Sequence, residues 1–145
     1  MKTEIDLSSD AATVVNPAQV AELLLLLKSR WNDDWQEVGQ DLPAWLTSSL
    51  SPVRTREEAE EWLAKWRAAP DPDAFERETG WTVKSWLHWF SFKNDLWSIG
   101  DAHVSDDGLR LTIVLDHDDS PFPYEALRWL AWVAGLKVGR EVRVS

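Results

Sequence analysis

The chain has 145 residues, 44 % of them hydrophobic and 28 % charged, with a formal net charge of −10 and no cysteine. That length suits one globular domain, residues 1–145, and the apolar share is that of a folding chain rather than a disordered one. The charge argues against nucleic-acid and anionic-membrane partners: phosphates need Lys and Arg, and here Asp and Glu outnumber them 25 to 15.

Without cysteine there is neither a disulfide framework nor a thiolate zinc site, and a reducing cytoplasm is the expected location. The first residues lack the apolar stretch of a secretory signal, and the aliphatic run at 23–27 is far too short to cross a bilayer. Arginine in excess of lysine, with few isoleucines and asparagines, points to a GC-rich bacterial genome.

In chain order, Ile5 and Leu7 alternate with acids, which suits a short edge strand over 3–7. Asn16-Pro17 opens a helix over 17–31, since Asn caps and Pro sits where its missing N–H costs nothing. Val20, Leu23, Leu24 and Leu27 form its apolar face; Leu25 and Leu26 widen that face until the helix reads as buried on most sides. A turn of helix near Trp35 is closed by Gly39, and a short helix follows over 43–50.

Thr55 and Glu58 form a capping box that starts a helix over 56–69, with Ala59, Trp62, Leu63 and Trp66 as its stripe. A brief helix over 73–79 follows. Val83, Trp86, Leu87 and Phe90 repeat at helical spacing and predict a helix over 82–90.

Asp107-Gly108 between two β-type runs predicts a hairpin with strands at 96–104 and 109–116. A two-residue turn at 106–107 would set residue 103 against 110 and residue 101 against 112, with 116–119 facing 96–97. A helix over 123–134, closed by Gly135, and an edge strand over 138–144 complete an α+β class: several helices packed on an antiparallel hairpin.

Tryptophan is the outlier, with 11 copies. Each buries roughly 200 Å² when packed, so most belong to a core. Trp62, Trp66, Trp86, Trp129 and Trp132 fall on apolar helical faces. Trp31 and Trp35, beside Asp33 and Asp34, together with Trp89 and Trp97, are the candidates for exposed aromatics able to receive a partner's Lys or Arg.

Residues 95–119 hold seven aspartates against one arginine. The candidate binding residues are Asp101, Asp106, Asp107, Asp116, Asp118 and Asp119, with Trp89 and Trp97. Charge on a hairpin also protects sheet edges, which is the plainer reading of the same residues. The functional expectation is a non-enzymatic interaction module, an immunity or regulatory partner of a basic protein.

Two other functions are open on the sequence. One is a small-ligand binder with a tryptophan-lined pocket. The other is a metal-dependent hydrolase using His103, His117 and the aspartates, although the hairpin register sets those two histidines at different heights. His88, between Leu87 and Trp89, reads as a packed helix histidine. No serine lies in a nucleophile-elbow context and no glycine-rich loop is present, so no catalytic residue, metal ligand or cofactor is assigned.

Overall fold

A computed structural model describes residues 1–10, 13–118 and 122–144. Among them the order is β1 (Lys2–Ser8), α1 (Pro17–Ser29), α2 (Trp35–Gln40), α3 (Ala44–Thr47), α4 (Arg56–Ala68), α5 (Pro72–Thr79), α6 (Val83–His88), β2 (Trp97–Val104), β3 (Arg110–His117), α7 (Glu125–Ala134) and β4 (Lys137–Arg143). The chain is therefore α+β, as its patterning predicts.

The strands form one antiparallel sheet in the order β2-β3-β1-β4. The segment expected at an edge is thus interior: β1 pairs with β3 on one side and β4 on the other. Its alternation explains why. Thr3, Ile5 and Leu7 are buried while Glu4, Asp6 and Ser8 are half-buried, so it has one clean core face. On β3, Leu111, Ile113 and Leu115 continue that face, each 0 % exposed. β4 remains an edge, exposed along its length apart from half-buried Val142.

α1 lies against β2 and β3. Asn16 and Gln19 form its capping box, and Val20, Ala21, Leu23, Leu24 and Leu27 are buried. The helix is not buried on most sides: Leu25 is 43 % exposed. Five consecutive leucines turn through more than one helical revolution, so one of them must face outward.

α7 buries Ala126, Leu127, Trp129, Leu130, Ala131 and Ala134 and ends at Gly135, whose φ of 72° is the left-handed cap expected there. Its N-cap Tyr124 donates its hydroxyl hydrogen to Glu141 of β4 and accepts from Arg128 at 2.9 Å. Gly39 lies inside α2 rather than closing it. A side chain there would meet Val83 at 3.1 Å, so glycine allows α2 to approach α6.

The tryptophans divide. Trp86 and Trp129 are core residues as expected, their rings 6.1 Å apart and their indole N–H groups donating to the Ala126 and Arg77 carbonyls. Trp62, Trp66 and Trp132 are not. α4 and α5 contain no buried residue. Trp62 stacks on Phe75 at 5.6 Å under Arg54, forming a half-exposed satellite cluster. Trp132 is 44 % exposed, with Arg77 lying over its ring.

This difference is measurable. Ile113→Ala is expected to cost about 3 kcal/mol of unfolding free energy by urea titration, because it opens a cavity in the sheet's buried face. Leu63→Ala on α4 is expected to cost under about 1 kcal/mol, because that side chain is already 37 % exposed.

Candidate acidic groove at the base of the hairpin

The tip of the hairpin is a four-residue connection, 106–109, not a two-residue turn. The Ser105 N–H donates to the Arg110 carbonyl at 2.9 Å, and the Gly108 N–H donates to the Ser105 carbonyl at 2.9 Å. Gly108 has φ 75°, the reason glycine is required there. The longer connection moves the register: His103 faces Thr112 and Asp101 faces Val114, not residues 110 and 112. Leu109, expected as the first residue of the second strand, belongs to this connection instead and is 54 % exposed. A bulge at Gly100 recovers one position, so Trp97 faces His117, within the expected neighbourhood.

Asp107 stabilises this tip. Its carboxylate accepts from the Ser105 hydroxyl and from the Leu109 N–H, and these bonds hold its pKa below the usual 3.8. Asp106 is exposed beside it. The tip and the base of the hairpin are separated by on the order of 20 Å at strand rise, so the predicted binding residues do not form one cluster.

Asp101 and His103 share the open face of the sheet, 3.6 Å apart. Glu4 and Asp6 lie on the same face by register, opposite Val114 and Thr112, and Thr112 donates to Asp6 at 2.9 Å. Neither was a sequence candidate. Their alternation with Thr3, Ile5 and Leu7 was visible, but the position of β1 beside β3 was not.

The base gathers the remaining aspartates. A groove of about 390 Å³ is bordered by Trp31, Asp95, Leu96, Trp97, Asp116 and Asp118. Asp116 lies 3.7 Å from Lys2, each with about half of its side chain exposed, and its carboxylate occupies the space beside Gly100 where a Cβ would stand 2.7 Å away. Asp119 lies outside the described residues.

The aromatic candidates meet at this end. Trp31 is 41 % exposed and packs edge-on to Phe92, itself 49 % exposed, with rings 6.1 Å apart. Leu96 is 47 % exposed. Trp89 is half-buried and, with Trp31, Phe90 and Trp97, lines an adjoining recess of about 230 Å³. Trp97 is 3 % exposed, so it is a wall of both spaces rather than a surface ring. Its indole N–H is buried with no hydrogen-bond partner among the described residues. Trp35 is half-buried at a separate recess, and His88 is exposed rather than packed.

The histidines are separated. His103 is exposed on the open face, whereas His117 is buried at the other end of β3, stacked on Phe122 and 2.7 Å from the Thr3 hydroxyl. Among the described residues no three His, Cys, Asp or Glu side chains converge as a metal site would require. No helix among them is long and apolar enough to cross a membrane. No protein-family model, curated protein or solved structure matches the chain.

The Asp107 bonds have a pH consequence. A depressed folded pKa contributes stability above the unfolded value and loses it as pH falls through the folded value. The tip is therefore expected to keep its neutral-pH geometry down to the ordinary aspartate pKa of 3.8 and to loosen only below it. Amide shifts of Gly108 and Leu109 across an NMR pH titration check this; a transition centred above that value would contradict it.

Proposed function

We propose that the chain is a non-enzymatic interaction module of the cytoplasm whose partner is a basic protein, docked at the base of the hairpin. The observation that carries this reading is the gathering of two large exposed apolar side chains, Trp31 and Leu96, with Asp95, Asp116 and Asp118 around one groove, exposed Phe92 lying edge-on to Trp31 beside it. Interface hot spots combine a partly exposed aromatic anchor with a polar rim, and that pairing occurs here.

In this reading the residues divide the labour by position. Trp31 supplies contact area and an aromatic face for a Lys or Arg stem. Asp116 and Asp118 supply short-range charge, with Lys2 the internal cation that a partner's cation displaces. That exchange costs little, because an exposed ion pair contributes at most about 1 kcal/mol. Asp101, Asp106 and Asp107, with Glu4 and Asp6 on the open face, act at longer range and steer the approach.

The test is affinity capture from source cells, then titration of the purified partner. The expected partner carries a basic patch, and its affinity falls as salt rises. Trp31→Ala is expected to weaken binding by about 2 kcal/mol, mostly in the off-rate. Asp106→Asn with Asp107→Asn is expected to slow association with little change in the off-rate. A partner that binds Trp31→Ala as tightly as the parent would contradict the reading.

A small-ligand binder is the second reading, supported by the recess of about 230 Å³ that Trp31, Trp89, Phe90 and Trp97 line. An aromatic-lined recess of that kind suits a small apolar or cationic ligand. Intrinsic fluorescence titrated against a metabolite panel would show a shift on binding; no shift with any member would count against it.

A further inference from the structure

We propose that a second recess, on the helical side of the molecule, binds a small organic monoanion: an apolar body carrying one carboxylate. The recess measures about 300 Å³ and lies between the end of α1, α2, α6 and the segment after α6. This is the lower end of the size range of small-molecule sites, roughly 300 to 1,000 Å³.

Its floor is the core itself. Leu27, Val38, Leu87 and Phe90 line it, and each is at least nine-tenths buried. The uncovered apolar surface is that of half-buried Trp35 and exposed Phe92, which also line the recess, and an apolar body seated on the floor replaces water against them. Gly39 brings α2 and α6 together beneath this floor.

The mouth is cationic in a chain of net charge −10. Lys84 and Lys93 border it, and among the described residues neither makes an ion pair. The Lys84 ammonium instead lies 6.0 Å from the Trp35 ring centroid, a weak contact at an exposed site. The third cation, Arg30, is not available: its guanidinium is held by Asp33 at 2.7 Å and also by Asp41. Both carboxylates raise its pKa further, so it stays charged and paired.

The uncommitted positive charge at the mouth is therefore that of the two lysines. Asp34 is exposed at the same mouth and its side chain caps no helix N–H. Its charge opposes a second negative group on the ligand, which is why the site suits a monoanion rather than a phosphate ester or dicarboxylate. An apolar floor orients the body and two ammonium groups fix the head, the usual division between burial and polar specificity in such sites.

The experiment is a ¹H–¹⁵N NMR titration of the full chain with sodium octanoate below its micellar concentration. Octyltrimethylammonium and 1-octanol serve as probes of the same chain length with opposite and no charge. Octanoate is expected to give saturable shifts at the Val38, Leu87 and Phe90 amides. Octanol is expected to shift the same amides about tenfold more weakly, the value of a charge-assisted hydrogen bond, and octyltrimethylammonium less still.

Lys84→Gln with Lys93→Gln alters exposed side chains, and its unperturbed spectrum reports that it folds. It is expected to reduce octanoate affinity to that of octanol. Octyltrimethylammonium saturating those amides as tightly as octanoate would overturn the proposal. So would octanoate shifts that map elsewhere or never saturate, or a double variant that binds octanoate as tightly as the parent.

Discussion

The structure depends on one constraint: the sheet has a single buried face, with β1 and β3 at its centre. Ile5, Leu7, Leu111, Ile113 and Leu115 make that face almost entirely inaccessible to water. Their burial provides the largest favourable contribution to folding and requires helices to cover them. α1 covers the β2–β3 side, and α7 joins the same core through Leu127, Trp129 and Leu130. The opposite face remains open because every outward position on β1 is polar: Lys2, Glu4, Asp6 and Ser8.

That asymmetry sorts the charges. Carboxylates in the β1–β3 pair fall on the open face or beyond the strand ends, since none could be buried unpaired without a large desolvation cost. Asp6 receives a hydrogen bond from Thr112 and Asp116 lies near Lys2, while the tip aspartates face solvent. The result is an acidic sheet face whose only neighbouring exposed aromatic pair, Trp31 with Phe92, lies at the base of the hairpin among the described residues. The helical side differs: its recess has an apolar floor, and Lys84 and Lys93 at its mouth make no ion pair among the described residues.

Much of this was legible in the residues. Helix starts at Asn16 and Thr55 were carried by side-chain chemistry that acts within three residues, and both capping boxes form. The hairpin was carried by Asp107-Gly108. What was not legible depends on partners distant in sequence. Lys2–Ser8 reads as a strand from its alternation, but only packing decides that it is interior. The turn type at 106–109 depends on Ser105 and Asp107 bonding back to the chain, which shifts the cross-strand pairs by two residues near the tip and, past the bulge at Gly100, by one.

The tryptophans show the same limit. A helical stripe predicts which face is apolar, not whether anything covers it. Trp86 and Trp129 are covered, whereas Trp62 and Trp132 lie at the margin under arginines. For the candidate site, Asp116 and Asp118 were readable as charge. Phe92, Leu96 and Glu4 were not, because exposure of an apolar side chain and the face shared by β1 and β3 are tertiary properties.

The central claim is that one-sided burial sorts the tryptophans, leaving Trp31 as the accessible ring at the acidic end. Fluorine NMR of the 5-fluorotryptophan-labelled protein, with a soluble paramagnetic agent and single Trp→Phe variants for assignment, tests it directly. Trp31 and Trp132 resonances should broaden strongly while Trp86, Trp97 and Trp129 stay sharp. A protected Trp31, or a Trp97 that broadens with it, would contradict the account.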